Sequence, residues 1–437
     1  MFSYYLHLAL GNLRRNIVLT ALLVVVIGVG IGASMTTLAV FRAMSGDPIP
    51  RKSSELFIVQ IDNWGPNKPG EPSEDQLKDS LSYIDAMALM HAHAAKRQTV
   101  IYSTFLKGRA PDAPTVPFEI IAPAVYADFF PMFDAPFQFG GSWSRDDDAA
   151  GAPVAVIPRK LNDKLFGGAN SVGKTLVLNG SSYRIVGVLD RWPLVPRFYN
   201  LHIGAYADVD ELFIPFTRAN NIHALTLSGI GCQAKLTQAW DELIPSECVW
   251  IQFWAELPAR ADADRYRAFL NNYAADQQRA GRFHWPPHTQ MRNVTQWLEY
   301  QHIVPSELSI LVLASFGFLF VCLLNAMGLM LAKTMARTQD IGVRRALGAT
   351  RRAIAAQCLV ESAVISSFGA LLGLALTMLG VLAMRAVFAE GYARLTYITV
   401  PTVALEVLVA IAATMAAALY PAWRAANVEP ALQLKAE

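Results

Sequence analysis

Charge is scarce in this 437-residue sequence, because Asp, Glu, Lys and Arg make up 16% of it against 53% hydrophobic residues. Four long apolar runs contain no ionisable side chain at their centres. Carriers driven by protons or ions usually place such groups at mid-membrane, because the ion is exchanged there. This absence argues against an ion-coupled carrier, so the energy for any transport has to come from another source.

Cysteine is scarce as well, with four residues and no CxxC pair or Cys/His cluster. The sequence therefore predicts no metal site. No Ser-His-Asp or paired-carboxylate arrangement can be identified from the sequence either, so no catalytic site supports an enzymatic function. The net charge of +2 gives no support for a nucleic-acid partner.

The four apolar runs are long enough to cross a membrane, which takes about 20 helical residues at about 1.5 Å per residue. The first run is too long for the core of a cleaved signal peptide, which is about 7–15 residues. We predict transmembrane helices at residues 17–42, 307–332, 359–386 and 399–420.

Basic residues indicate how these spans are oriented. Arg14 and Arg15 precede the first run, and six basic side chains against the single acid Asp340 follow the second. Such clusters mark the cytoplasmic side. We therefore predict that both termini are cytoplasmic, with an interfacial helix at 1–16, a coupling loop at 333–358, a short outer loop at 387–398 and a tail at 421–437.

Residues 43–306 are polar and rich in Pro, Gly, Asp and Trp. Roughly 260 residues are enough for a separate core. The pattern predicts helices at 75–97 and 262–279 and a hairpin of residues 175–178 and 183–189. The predicted fold class is a membrane protein with four transmembrane α-helices and a large α+β extracytoplasmic domain inserted between helices 1 and 2.

The basic segment 333–358 is a candidate docking surface. If it is helical, side chains at spacings of three and four share one face, and a glycine supplies the helix stop. A charged stripe of this kind can also be only a solvated face, but its position between two spans favours a cytoplasmic partner. The predicted docking residues are Arg337, Asp340, Arg344, Arg345, Leu347, Gly348 and Arg351.

Glycines recur at a spacing of four in two of the predicted spans. Gly28 and Gly32 lie in the first span, and Gly369 and Gly373 lie in the third. This spacing lets another helix approach closely, although glycine is common in membrane helices and the motif alone is weak. We predict that these glycines pack helices together.

Gly168, Gly173, Lys174 and Thr175 fit the GxxxxGK[ST] pattern of a phosphate-binding loop. A working loop needs a helix after it, whose N-terminus meets the phosphates. A strand-like run follows here, and the predicted topology places the segment outside the cytoplasm, where ATP is not available as a fuel. We interpret the match as a lookalike and predict no nucleotide site in this chain.

Cys232 and Cys248 lie in the domain that we place in an oxidising compartment. A disulfide between them is one possibility there, and two small buried thiols are the other.

Residues 340–373, DIGVRRALGATRRAIAAQCLVESAVISSFGALLG, and residues 420–437, YPAWRAANVEPALQLKAE, resemble the FtsX-like permease domain of the MacB-type ABC transporter family. YADFFPMF (126–133), FGGSW (139–143) and SVGKTLVLNGSSYRIVGVL (171–189) are similar to its periplasmic core in order and spacing. The family more often has Glu at the position of Asp340. The sequence contains no ATPase domain of the kind that is fused in MacB itself.

The resemblance implies a non-catalytic permease subunit in the bacterial inner membrane, with the large domain in the periplasm. Its partners would be a dimeric ABC ATPase, a second or paralogous permease, membrane lipid, and a periplasmic adaptor with an outer-membrane channel. ATP and Mg would bind the ATPase, and this chain would hold no cofactor. ATP hydrolysis would move the outer domain, called mechanotransmission in that family, to export an amphipathic substrate such as a macrolide, peptide or lipopeptide.

Two alternatives stay open. An FtsX-like regulatory permease would control a cell-wall hydrolase or a sensor kinase without transporting anything. A membrane-anchored enzyme would carry out chemistry in its extracytoplasmic domain.

Overall fold

The computed structural model describes residues 11, 17–62, 78–110, 113–192, 194–207, 211–227, 229–232, 239–387, 408, 411–412, 415–416, 418–424 and 427. The chain forms two compact units. Met1–Ser45 and Val304–Glu437 make up the first, which we call the helical unit, and Gly46–Ile303 make up the second, which we call the inserted domain.

Helix α1, Ile17–Met44, begins the helical unit. Its 28 residues exceed the roughly 20 that a hydrocarbon core requires. Within the helix, Gly28 and Gly32 are both buried.

A mixed sheet lies at the centre of the inserted domain and has 11 strands among the described residues. Its path is β11-β1-β10-β3-β7-β8-β5, with β2 paired to β10, β4 to β3 and β9, and β6 to β8. The β4–β9 and β6–β8 pairs are parallel. The strands are β1 Leu56–Asp62, β2 Leu81–Ser82, β3 Arg97–Ala110, β4 Ala113–Val125, β5 Phe137–Gly140, β6 Val154–Pro158, β7 Thr175–Leu178, β8 Ser181–Leu189, β9 Ile214–Pro215, β10 Val249–Glu256 and β11 His288–Asn293.

Short helices connect these strands, and α8 is the longest of them. The helices are α2 Tyr83–Ala92, α3 Phe129–Met132, α4 Arg145–Ala150, α5 Arg159–Phe166, α6 Phe216–Asn221, α7 Trp240–Leu243, α8 Arg260–Arg279 and α9 Val294–Tyr300, with a 3-10 helix at Leu201–Ile203. Helix α2 corrects the prediction of a helix over 75–97. The Ser82 hydroxyl caps its start, His93 ends it with φ of 47°, and β3 begins soon after.

Successive side chains along a strand of this sheet belong to two different hydrophobic clusters. In β1, Ile58 belongs to one cluster and Val59 to the other, and in β10 the same is true of Trp254 and Phe253. Because successive side chains point to opposite faces of a strand, both faces of the sheet are buried. This is why β10 is buried along its whole length and lacks the alternation that predicts a half-exposed strand.

A disulfide joins Cys232 to Cys248, whose Cα atoms lie 4.4 Å apart. Gly231 forms an antiparallel bridge with Val249, the first residue of β10. The disulfide therefore fastens the segment before α7 to the start of the central strand.

Removing this disulfide is expected to lower the free energy of unfolding of the inserted domain by about 3 kcal/mol, because it frees a loop with a sequence separation of 16. The measurement is denaturant unfolding of the wild-type chain and of the Cys232→Ser/Cys248→Ser variant, each with and without reductant. Reductant should lower the wild-type midpoint and leave the variant unchanged. Equal midpoints for both chains without reductant would contradict the prediction.

The helical unit continues with α10 Ser306–Met335, α11 Thr338–Ala346 and α12 Arg351–Val387. Three described helices, α1, α10 and α12, are long and apolar enough to cross a membrane, with mean hydropathies of 2.6, 2.4 and 2.0. The predicted fourth span at 399–420 lies mostly outside the described residues. The predicted interfacial helix at 1–16, apart from Gly11, the outer loop from 388 onwards and most of the tail also lie outside them.

The predicted coupling loop at 333–358 is largely helical. Helix α10 continues through Met335, α12 already begins at Arg351, and α11 lies between them. The spanning helices extend beyond their apolar runs because basic residues favour helix as well as apolar ones do. We call residues 333–358 the coupling segment from here on.

Candidate functional site

Gly348 has a φ of +98°, in the left-handed region that favours glycine. Its N–H bonds to the carbonyl of Arg345 at 3.1 Å, and the N–H of Ala349 bonds to that of Arg344 at 3.0 Å. These bonds satisfy carbonyl groups that a helix end leaves open. Gly348 therefore ends α11 and lets the chain turn into α12.

The outward side of α11 combines apolar and basic side chains. Leu347 is 83% exposed and Val343 52% exposed, and Asp340 and Arg344 are exposed beside them. Arg344 Nη1 donates to Gln357 Oε1 of α12 at 3.0 Å, so its guanidinium is held at the surface. Exposed apolar side chains next to an arginine are typical of a protein contact surface.

Two further predicted docking residues flank this face. Arg351, at the start of α12, is exposed and donates to Asn427 Oδ1 at 3.1 Å. Arg345 is half-buried. The structure therefore brings Asp340, Arg344 and Leu347 together on the exposed side of α11, and Arg351 lies on the next helix.

Arg337 is not on this face. It lies in the break between α10 and α11, and its side chain is 17% exposed. Its Nη1 lies 3.4 Å from Glu361 Oε2 of α12. The spacing predicts one helix over residues 337–347, whereas α11 begins only at Thr338, and the side chain of Arg337 contacts Glu361.

Glu361 is a functional candidate that the sequence analysis missed. Lys333 Nζ of α10 lies 2.6 Å from Glu361 Oε1, and both side chains are largely buried, 6% and 14% exposed. Lys333 Nζ also lies 3.5 Å from Thr20 Oγ1 of α1. The available signal was one acid at the inner end of a predicted span, facing a segment with six bases. We call Lys333, Arg337 and Glu361 the ion-pair cluster.

A cavity of about 110 Å³ lies next to the ion-pair cluster. Residues of α10, α11 and α12 line it, together with Pro421 and Ala422. Its charged lining consists of Lys333, Arg337, Asp340, Arg344 and Glu361. The side of α11 towards the cavity is therefore polar, and Asp340 and Arg344 both line the cavity and reach the surface.

The predicted glycine pairs lie against each other. A Cβ atom added at Gly28 would lie 2.8 Å from Leu372, and one at Gly32 would lie 2.7 Å from Leu376 Cβ, both on α12. A Cβ atom at Gly369 would lie 2.7 Å from Ile27, and one at Gly373 2.8 Å from Ile31, both on α1. Such separations are too short for any side chain, so the four glycines allow α1 and α12 to pack closely.

The phosphate-loop pattern has no phosphate-binding geometry. Strand β7 begins at Thr175 itself, so no helix N-terminus follows the loop. Lys174 lies at the surface with its Nζ 4.8 Å from the centroid of the Phe166 ring. Gly168 and Gly173 both have positive φ and form turns.

Asp148 is a carboxyl of the inserted domain in an unusual environment. It is buried and accepts hydrogen bonds from the Ala127 N–H at 2.7 Å and from Trp143 Nε1 at 2.6 Å. Burial raises the pKa of Asp148 to about 7, with the nearby carboxylates of Asp128 and Asp147 adding to the rise. The Asp148 carboxyl therefore keeps its proton up to a higher pH than an ordinary aspartic acid does.

Asp148 is expected to make the chain less stable as the pH rises. Its pKa is 3.8 unperturbed and about 7 in the fold. The contribution of Asp148 to the free energy of unfolding is thus complete below pH 3.8. It is lost as the pH rises to about 7, and the free energy of unfolding falls by about 1.4 kcal/mol per pH unit over that range. Unfolding free energies measured between pH 4 and pH 8 on the wild type and Asp148→Asn should differ in slope. Parallel curves would contradict the assignment.

Together these features define a class of protein. Apolar helices long enough to span a membrane are joined by a short basic helix, and a large mixed α/β domain is inserted after the first of them. The chain matches the family model of the MacB-like periplasmic core domain over residues 20–268 and that of the FtsX-like permease C-terminal domain over residues 312–430. It belongs to the MacB/FtsX-like family of ABC transporter permeases, and it is a membrane protein with an extracytoplasmic domain.

Individual relatives are distant in sequence. The macrolide export ATP-binding/permease protein MacB of Azoarcus sp. strain BH72 is 25% identical over 434 residues, which cover 98% of this chain and 59% of that protein. This chain thus spans about 60% of the length of such MacB relatives. The uncharacterised ABC transporter permease YknZ of Bacillus subtilis strain 168 is 21% identical, with 99% of this chain and 98% of YknZ covered.

Among solved structures, the periplasmic region of MacB from Actinobacillus actinomycetemcomitans matches 57% of this chain and 94% of its own. The sequence identity is 14% and the TM-score is 0.36.

Proposed function

We propose that this chain is the permease subunit of a MacB-like ABC transporter and couples ATP hydrolysis by a separate ATPase to movement of its inserted domain. The observation that carries the proposal is the exposed face of α11, where Val343 and Leu347 lie beside Arg344. A short helix with such a face, connected at both ends to spanning helices, offers a partner a rigid contact.

The points at which α1 and α10 join the inserted domain support this coupling of ATP hydrolysis to its movement. Helix α10 is continuous from Ser306 to Met335, and the inserted domain ends at Ile303. Helix α1 ends at Met44, and the inserted domain begins at Gly46. A continuous hydrogen-bonded helix transmits a push along its axis. Closure of the ATPase pair against α11 would thus reach the inserted domain through α10 and α1.

The remaining parts of the proposal follow the family. A fourth span lies at 399–420, both termini are in the cytoplasm, and the inserted domain is in the periplasm of a bacterial inner-membrane protein. ATP and Mg bind the ATPase pair, this chain is non-catalytic, and a second or paralogous permease completes the complex. An adaptor and an outer-membrane channel extend the route across the envelope.

The proposed substrate is amphipathic, such as a macrolide, peptide or lipopeptide. Relatives include proteins named for macrolide export and, in Pseudomonas entomophila, for pyoverdine export. Such molecules would be taken up on the periplasmic side and moved onward by the inserted domain.

Co-purification from the native membrane tests the proposal. The tagged chain, solubilised in mild detergent, should bring down an ABC ATPase and a second permease copy or paralogue. An adaptor among the captured chains supports export, and a kinase or wall hydrolase supports the regulatory alternative. Turnover of a substrate by the purified chain without any ATPase would contradict the permease assignment.

A further inference from the structure

Glu361 is the point where several elements of the helical unit meet. Its Oε1 contacts Lys333 Nζ at 2.6 Å, and its Oε2 lies 3.4 Å from Arg337 Nη1. Lys333 Nζ in turn lies 3.5 Å from Thr20 Oγ1. One carboxylate thus connects the end of α10, the α10–α11 junction and α12, and Lys333 extends the contact to α1.

The burial of this cluster makes its geometry specific. All three charged side chains are less than one-fifth exposed, so a separated charge would lack solvent to compensate it. Breaking one partner of a buried ion pair is costly, and the best-attested use of such pairs is to select one arrangement. The cluster therefore favours a defined position of the Arg337 guanidinium.

Arg337 lies where α11 can change its angle. It is the residue between Ala336, which follows the last turn of α10, and Thr338, the first residue of α11, and its own φ of −116° and ψ of 15° are not helical. The cavity of about 110 Å³ beside the cluster leaves α11 room to move, whereas a fully packed interface would resist any shift. A tilt of α11 therefore displaces Arg337 relative to Glu361.

We propose that Glu361 is a positioning residue that transmits movement of α11 to α1 through Lys333 and Thr20. This inference rests on the proposed function for its purpose. It is tested on the helical unit alone: a disturbance of α11 reaches the N-terminal turns of α1 through the contact of Lys333 with Thr20.

The test on the chain alone begins with Gly348→Ala. This change strains the end of α11, because Gly348 has a φ of +98°, and an added Cβ would meet no other atom. The measurement is hydrogen exchange of the full chain in lipid nanodiscs, followed at residues 338–346 and 17–24. The change is made in the wild type and in a Lys333→Met/Glu361→Gln background, which removes both partners of the Lys333–Glu361 pair and leaves Arg337 as the one charge of the cluster. Ser367→Ala, at an exposed position of α12, is the control background.

In the wild type and in the Ser367→Ala background, Gly348→Ala is expected to raise exchange about tenfold at both segments. In the Lys333→Met/Glu361→Gln background it should raise exchange only at 338–346. An effect at 17–24 of equal size in all backgrounds, or in none of them, overturns the proposal. The outcome does not depend on any ATPase.

A second arm uses the ATPase captured with the chain from native membranes. Glu361→Gln and Lys333→Met/Glu361→Gln should bind that ATPase with unchanged Kd and lose the stimulation of its turnover, and Glu361→Asp should restore part of it. A merely structural role predicts that Lys333→Met/Glu361→Gln, which removes both partners of the buried pair, restores stimulation, and that result overturns the proposal. If the wild-type chain binds no ATPase, the proposed function fails, and the exchange experiment still decides the link through Glu361.

Discussion

Reversing two charges, with Arg344→Glu and Arg345→Glu together, is expected to lower the chain's stimulation of ATP turnover by the ATPase at least about tenfold, or about 1.4 kcal/mol. Arg344 is exposed beside Leu347, so docking would bury its guanidinium against the partner. Like charges placed together across an interface cost several kcal/mol, whereas the matched pair steers and orients the encounter. The inserted domain should remain folded, because neither residue belongs to it.

The measurement combines pull-down of the ATPase with its stimulated turnover in nanodiscs. The matched control is Arg265→Glu with Arg267→Glu on α8, which reverses two charges on the inserted domain. Both control arginines are exposed and form only surface pairs with Asp262 and Asp264, which contribute little to stability. The docking assignment is wrong if the α11 variant binds and stimulates as the wild type does.

Replacing Gly32 or Gly373 with Leu is expected to separate α1 from α12. A Cβ atom alone would lie 2.7 Å from Leu376 Cβ or 2.8 Å from Ile31 Cγ2, and the rest of the leucine side chain has no space. Overpacking of this kind costs roughly 1–3 kcal/mol and occasionally more at each site. We expect a marked fall in thermal stability of the helical unit, largest when both are replaced.

The control for these two replacements is a glycine of another spanning helix that makes no close contact. Gly317 on α10 is exposed, and an added Cβ would meet nothing within 4 Å, so Gly317→Leu should leave stability nearly unchanged. Thermal unfolding in detergent, followed by far-ultraviolet circular dichroism, ranks the four variants: the two single replacements, the double replacement and the Gly317→Leu control. Equal melting temperatures for all of them would contradict the close approach of α1 and α12.

The sequence predicted those features that arise from local pattern. Length and hydropathy were enough for α1, α10 and α12, and the glycine spacing identified two faces that the structure brings together. The hairpin of β7 and β8 followed from its turn residues Asn179 and Gly180, both with positive φ. Gly348, with its positive φ, lies just after the last residues of α11.

Features that depend on distant partners were missed. Strand β10 has no alternating pattern because both of its faces are buried, and its neighbours β1 and β3 are far away in sequence. The spacing of Arg337 suits a continuous helix and therefore predicts a place on the docking face. Its actual direction depends on Glu361, 24 residues further along the chain, and no helical period connects the two.

The central claim is that ATP on the separate ATPase moves the inserted domain through the coupling segment. Spin labels at Arg265→Cys on α8 and Gly317→Cys on α10, with Cys322 and Cys358 replaced by Ser, report the distance between the two units in the reconstituted complex. The account predicts that this distance shifts by about 5 Å when ATP is bound and that the shift disappears when both α11 arginines are reversed and the ATPase is added under the same conditions. Identical distances with and without ATP in the wild-type complex would contradict it.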